Sequence, residues 1–472
     1  DGGFVRFVTR LQGLELGALA YERQDDGALD ATPTPLINIP QPALEDILLE
    51  EVASNPMIAL RRPQTWLSAA DAGTHVLSRI ATPGGEREIR SRYLLACDGA
   101  DSAVRKACGV DMPGDARIED RIMIHIEADL RPLLGQRPGV LYFITDPASP
   151  ATLIAYDLAS TYVLMHRYDQ SVEDAASFSP ERCRQIVQRA IGPDLPFEIR
   201  HISPWTMTAL VAERYRKGRI FLCGDAAHRF PPSGGLGLNS GMQDAHNLVW
   251  KIAAVERGWA AESLLESYQR ERQPVAAAYS AQSHGNAVRM GKLFAFVASE
   301  FTAAGGDVAR AEQRLSSVGQ RATLDELVEL QRPHFDSFGL QLGFRYGDAS
   351  WSSHVSDFTP GIVEGVRLPH VWIDISGHRA STLDLLDPTS FALICAPDGE
   401  SWREALADCA IPFRIMMAGS DFVDVSGEWS ALMGQAAAVL VRPDGHVLHV
   451  AKSSDATAFD AVLKKLRAPA LA

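Results

Sequence analysis

Apolar residues along this chain recur with two different periods, and the places where the period changes mark its organisation. Leu44, Ile47, Leu48 and Val52 fall at helical spacing and predict a helix over 43–53, after a stretch punctuated by Pro33, Pro35 and Pro40. Residues 93–97 form a short apolar run that stops at Asp98-Gly99. From about 121 to 168 the pattern shortens to strand-sized runs at 122–126, 140–144, 153–156 and 162–165, separated by Gly135, Pro138, Pro147 and Pro150. Another strand is predicted at 220–223. Beyond it Met242, Ala245, Leu248, Val249, Ile252 and Ala253 line one face of a helix over 242–256, and helix-rich sequence continues to about 330. From about 355 the order is strand 391–395, helix 402–407, strand 413–417, a hairpin at Pro443-Asp444-Gly445 and a closing helix over 456–466. This order predicts an α/β protein whose main domain is interrupted by an antiparallel sheet and followed by a separate small α/β unit. The expected boundaries are 1–118 and 211–350 for the two parts of the main domain, 119–210 for the inserted sheet and 351–472 for the last unit.

Composition narrows the class. The 472 residues leave room for about two or three domains, and 46% hydrophobic with 22% charged residues is the balance of a globular protein. A formal charge of -14 argues against nucleic acid as a main partner, because phosphate binding needs a basic surface. The longest apolar runs are strand-sized, so no membrane span is expected. Cys97, Cys108, Cys183, Cys223, Cys395 and Cys409 include no C-x-x-C pair, and several lie in apolar runs. They read as buried, reduced thiols of a cytoplasmic protein rather than a disulfide framework or a zinc site, and no metal centre is predicted.

The richest chemistry lies in the segment 220–241. A buried strand runs into Gly224-Asp225, a Pro- and Gly-rich loop follows through Pro231, Pro232, Gly234, Gly235 and Gly237, and a helix then begins. Glycines let backbone N–H groups come close to a ligand, and a helix N-terminus adds positive partial charge. Asp225, at the C-terminal end of the strand, can accept hydrogen bonds from ligand hydroxyls. A plain strand–turn–helix connection would explain Gly224-Asp225 alone, but not the whole run. Residues 93–105 have the same plan: a strand, Asp98-Gly99, and a helix start carrying Arg105. Read alone, Asp98-Gly99 is an ordinary turn and Ser102 an N-cap.

The first segment resembles the second FAD-binding motif of the flavin-dependent aromatic hydroxylases, the family of p-hydroxybenzoate hydroxylase, phenol hydroxylase and the chlorophenol and hydroxybiphenyl monooxygenases. The second segment resembles the Asp-Gly motif of that family. The resemblance implies that Asp225, beside Gly224, bonds the ribityl chain of FAD and that Pro232 lies near the reactive flavin edge and the substrate. It also implies that the backbone amides of Leu238 and Asn239 face the flavin N1–C2=O2 edge, where negative charge develops on reduction. Gly237 is then the expected point of closest backbone approach, with a positive φ. Asp98, with Gly99, would shape the pyrophosphate region and the NAD(P)H approach, and Arg105 would help neutralise phosphates. Gln41, after Pro40, matches a family glutamine that contacts the cofactor, although a glutamine at a helix start is commonplace. Thr359-Pro360-Gly361, Pro369-His370-Val371-Trp372 and Arg442-Pro443-Asp444-Gly445-His446 resemble the thioredoxin-like tail of the phenol-hydroxylase branch. Without C-x-x-C that tail reads as structural or oligomeric, in a homodimer.

The implied fold is a Rossmann-like FAD-binding domain with an inserted antiparallel substrate sheet and a thioredoxin-like C-terminal domain. The family's first motif, Gly-x-Gly-x-x-Gly after a strand, is missing. Because that unit nucleates the sheet, it is expected in an N-terminal stretch preceding Asp1, with the adenosine-binding acid, a flavin-side arginine and sometimes the phenol-activating base. His228, next to the motif, is a candidate for that base because imidazole titrates near neutral pH, against a reading in which it packs locally. His125, His166, Tyr142, Tyr156 and Tyr162 fall on the inserted sheet, where alternation puts about half of them on the pocket side. The implied activity is hydroxylation of a phenolic substrate with NAD(P)H and O2 through a flavin C4a-hydroperoxide. The alternatives are a hydroxylase for a polyketide or antibiotic ring and, outside enzymes, a flavin-free scaffold.

Overall fold

The computed structural model describes residues 3–468 apart from 24–26, 193–194 and 349. Ile220, Phe221 and Leu222 are all buried, and the strand Ile220–Leu222 pairs in parallel with Leu94–Ala96, Ile220 opposite Leu94 and Leu222 opposite Ala96. Parallel pairing puts both C-terminal ends on one side, so Asp98-Gly99 and Gly224-Asp225 leave neighbouring strand tips together. Each tip leads to a helix, Ala103–Ala107 after the first and Leu236–Glu256 after the second. Leu248, Ala254, Tyr268 and Phe221 pack behind them in a common core.

The interrupting sheet is larger than 119–210. It has eight strands in the order His228–Arg229, Glu198–Val211, Gly114–Glu127, Thr161–Tyr168, Ala151–Asp157, Leu141–Ile144, Phe4–Val8, Glu15–Ala20. Every neighbouring pair is antiparallel except Phe4–Val8 with Leu141–Ile144. The first two strands, expected in the main domain, therefore belong to this sheet; they supply Val5, Phe7, Leu16 and Leu19 to its core. Glu198–Val211 was not foreseen, since Pro204 and its many polar residues obscure the alternation.

One face of the sheet buries Ile122, Ile124, Ile126, Leu153 and Leu164 under the helix Pro180–Ile191. On the other face Val5, Phe7 and Phe143 pack against the 37-residue helix Ser267–Ala303 and the helices after it. Tyr142 and Tyr162 fall in the first cluster, and His166 joins that side at 6.1 Å from the Phe178 ring. Its register partner Val163 puts His125 on the opposite face, and Tyr156 falls at the bulge between Ala155 and Asp157.

The C-terminal sheet runs Phe413–Met417, Phe391–Cys395, Ala438–Val441, Val447–Ala451, with the first pair parallel and the others antiparallel. It was expected as a separate unit, yet its hairpin reaches into the main domain. Arg442 donates to both oxygens of Glu271 at 2.9 and 2.8 Å, and Lys251 donates to Glu271 at 2.7 Å. All three side chains are buried, and Asp444 completes the cluster by accepting from Asn247 at 3.2 Å. Burial opposes the charge on Glu271, but Arg442 and Lys251 outweigh it and hold the carboxyl below its usual range. Burial pushes Lys251 down to about 8.

Candidate active site

Asp98 turns its carboxylate back on its own helix and accepts from the Val104 N–H at 3.1 Å. Ser102 caps the same helix by accepting from the Arg105 N–H at 2.9 Å, and Gly99 takes φ +79°. The capped turn and the motif are thus one object. Arg105 is only 6% exposed. Its guanidinium donates to Ala226 O and Ala100 O, both at 3.1 Å, so it staples the two strand-tip turns to each other instead of reaching outward.

Asp225 sits in the turn Gly224–Ala226 and is exposed. Among the described residues its carboxylate has no hydrogen-bond or ion-pair partner. Gly224 has φ +58°, and a Cβ on Gly241 would lie 3.2 Å from the Gly224 Cα, so turn and helix pack backbone to backbone. Asp244, fully buried on the helix Leu236–Glu256, holds this arrangement. It accepts from Gly224 N–H at 3.2 Å, from His228 Nε2 at 2.7 Å and from Arg272 Nε at 2.8 Å. Burial opposes its ionisation, but Arg272 and His228 keep it below the usual carboxylate range.

His228 is 0% exposed and stacks on Phe230 with ring centroids 4.8 Å apart. Its Nε2 is committed to Asp244, and its Nδ1 is buried without a partner among the described residues. It positions the loop.

In that loop Pro232 is exposed, and Gly234 and Gly235 take φ +106° and +66°. Gly237 differs from expectation. It lies in the first turn of the helix without a positive φ, and a Cβ there would meet no protein atom within 4 Å. The space beside it is open. Leu238 and Asn239 are exposed, Asn239 Nδ2 donates to Gly235 O at 2.8 Å, and no side chain caps this helix start. An uncapped N-terminus on a 21-residue helix has free amides and positive partial charge for an outside acceptor. With the unpartnered Asp225, the tip can take a ligand that offers hydroxyls at one point and developing negative charge at another.

Gln41 opens the exposed helix Gln41–Ser54 and donates to Glu45 at 2.7 Å, away from either strand tip's hydrogen bonds. Sequence reasoning missed Asp244, Arg272 and Asn286. Asn286 Nδ2 donates to Ser233 O at 3.3 Å, and the Tyr21 hydroxyl lies 3.6 Å from where a Gly235 Cβ would be. The available signal was Glu271, Arg272, Ser283 and Asn286 on the buried stripe of a helix, where polar residues need a reason. Cys97 is exposed and Cys409 half-buried, unlike the four buried thiols. Among the described residues no His, Cys, Asp and Glu group could hold a metal ion, and no helix is long and apolar enough to cross a membrane.

Comparison with known proteins bears on this geometry. Residues 8–283 match the family model of an FAD binding domain, and residues 362–470 that of the aromatic-ring hydroxylase C-terminal region. Tetracenomycin B2 monooxygenase-dioxygenase of Streptomyces olivaceus is 33% identical over 465 residues, 95% of this chain and 79% of that protein. 2,4-Dichlorophenol 6-monooxygenase of Cupriavidus pinatubonensis is 30% identical over 477 residues, 93% of this chain and 79% of that protein. The crystal structure of the flavin-dependent monooxygenase PieE with FAD and substrate superposes with a TM-score of 0.89 at 28% identity, covering 98% of this chain and 87% of that one.

Proposed function

The chain belongs to the FAD-dependent aromatic hydroxylases and is a monooxygenase of that family, and on that premise we propose that it hydroxylates a phenolic ring, with NAD(P)H as reductant and O2 as oxygen source. Family membership sets aside the flavin-free scaffold. The observation that carries the site assignment is the pair of parallel strand tips, with the unpartnered Asp225 facing out beside an uncapped helix start.

We assign Asp225 to the ribityl hydroxyls and Asp98 with Gly99 to the pyrophosphate side and the NAD(P)H approach. Gly224 and Gly237 leave room for the ligand, and the Leu238 and Asn239 amides serve the flavin edge where charge develops. Arg105 is a positioning residue between the two turns. Pro232 stands on the substrate side of the loop, and Gln41 remains a cofactor contact by resemblance. The bound flavin supplies reduction and the activation of oxygen. This chain supplies orientation, stabilisation of charge and exclusion of water. The C-terminal unit is read as a thioredoxin-like domain without redox thiols, in a homodimer.

The test is a panel of phenols screened for stimulated NAD(P)H oxidation, with product identification. Fused-ring polyketide phenols belong in the panel because the chain resembles both a tetracenomycin and a dichlorophenol enzyme. A hydroxylated product from any member supports the proposal. Flavin-loaded protein that leaves every phenol unchanged refutes it.

A further inference from the structure

The helix Ser267–Ala303 carries a charge that the assignments above do not use. Arg289 is half-buried, and burial alone lowers its pKa, with no carboxylate among the described residues paired to it. Its guanidinium folds back along the helix, so that a Cβ on Gly285 would lie 3.3 Å from Nη1, and Nη2 donates to Asn286 Oδ1. Since Asn286 donates to Ser233 O at 3.3 Å, the arginine is tethered to the loop residue after Pro232. Its Nε is buried with no acceptor.

His334 faces the same region from the short helix Arg332–Phe335. It is 4% exposed, and its Nδ1 is buried without a partner. Burial and the charge on Arg289 push its pKa down to about 3, so the ring is neutral. Around it stand rings: Phe335 stacked at 4.0 Å, Phe143 at 6.2 Å, and Tyr21 at 6.4 Å from Phe335. On the Phe335 side lies Glu22, bonded through its backbone N–H to Phe335 O and through its carboxyl to Ser337 and Gln341, with the titratable Tyr21 and Asp336 beside it. A half-buried guanidinium with no carboxylate paired to it among the described residues, beside a neutral imidazole and aromatic rings, is costly unless an anion pairs with its exposed part.

We propose that Arg289 is the anion-recognition residue of the substrate site, pairing with the ionised oxygen of a phenolate while His334 meets a second oxygen on the adjoining ring carbon. The inference rests on the proposed hydroxylase reading and deepens it, because it selects phenols carrying a neighbouring hydroxyl or carbonyl. A phenolate is the electron-rich form that attacks an electrophilic oxygen. A nearby guanidinium favours that form, by roughly one to three pKa units for close opposite charges.

The experiment titrates the FAD-loaded full chain with 4-nitrocatechol, whose visible band reports its own ionisation, and with the uncharged analogue 4-nitroanisole. We expect the wild type to lower the bound catechol's apparent pKa by about one unit or more. Arg289→Gln should weaken catechol binding about ten- to a hundredfold and abolish the pKa shift, with Arg289→Lys restoring part of both. FAD content and 4-nitroanisole affinity should not change. The proposal is overturned if the wild type fails to bind or ionise the catechol, if Arg289→Gln behaves as wild type, or if both ligands weaken equally. A wild type that ionises the catechol but hydroxylates no phenol would fail the functional reading and leave the anion site standing.

Discussion

Asp244 and Asp225 lie nineteen positions apart in the chain and answer to opposite physics. Asp244 is fully buried and serves three donors, so Asp244→Asn should leave the Arg272 charge uncompensated, at about 3–5 kcal/mol of stability. Denaturant unfolding measures this, and an unchanged midpoint would remove Asp244 as the keystone of the turn. Asp225 is exposed and unpartnered, so Asp225→Ala should leave stability alone and weaken FAD retention by about 1.5–3 kcal/mol, one charge-assisted hydrogen bond. Undiminished flavin in the purified variant would take Asp225 out of its role. Glu22 is the residue through which pH acts on folding. Burial raises its carboxyl to about 7, against hydrogen bonds from Ser337 and Gln341 that favour the charged form. A folded-state pKa above the unfolded value means stability fully present below the unfolded value, about 4.3, and lost as pH rises through 7. Between about pH 5 and about pH 8 the loss should amount to about 2–3 kcal/mol, and Glu22→Gln should flatten it. Unfolding midpoints of both proteins at about pH 5 and about pH 8 decide the matter; parallel losses would contradict it.

Among the elements, the loop from Pro232 to the first turn of the helix Leu236–Glu256 divides its tasks between glycines. Gly234 and Gly235 turn the chain with positive φ, whereas Gly237 keeps open space beside a helical backbone. Gly237→Val should therefore fold, since valine is a somewhat better helix former than glycine and its Cβ would meet no protein atom, and act on the ligand instead. We expect the ratio of hydroxylated product to NAD(P)H consumed to fall, with more oxygen leaving as H2O2, at saturating substrate. A variant that binds FAD normally with an unchanged ratio would show that this turn does not wall the reaction site. The same loop shows how far an element can be read ahead. Its glycines were visible in the sequence, but which of them takes the left-handed conformation depends on where the helix begins, at Leu236 rather than near Met242.

For the whole molecule, the decisive feature is the buried cluster of Lys251, Glu271, Arg442 and Asp444 between the main domain and the C-terminal hairpin. Removing the chain from about residue 355 would leave Lys251 and Glu271 without Arg442, in the helices Leu236–Glu256 and Ser267–Ala303. Truncation should therefore lower stability and FAD retention together, beyond any change in assembly. Arg442→Ala in the full chain should reproduce part of the loss, about 3–5 kcal/mol for an orphaned buried charge. Thermal unfolding followed by flavin release reads both variants, and a truncated protein with wild-type flavin content and midpoint would refute the coupling.

What the amino-acid order determined by itself was local. The apolar run into Gly224-Asp225, its partner run into Asp98-Gly99 and the glycines after Pro232 are contiguous in the chain, so period and spacing were enough to place both strand tips. The same held for the alternation at 122–126 and 162–165, although not for Glu198–Val211, where Pro204 breaks the pattern. Tertiary structure alone decided what depends on distant partners. The strands Phe4–Val8 and Glu15–Ala20 joined the far edge of the large sheet because Leu141–Ile144 offers a parallel neighbour. His228 became a buried prop because Asp244 and Phe230 enclose it. Arg289 and His334, which no spacing links, meet only because the long helix folds back over the sheet's second face. A side chain's neighbours along the chain are written in its sequence, but its burial and its charge partners are set by long-range packing, and these govern its chemistry.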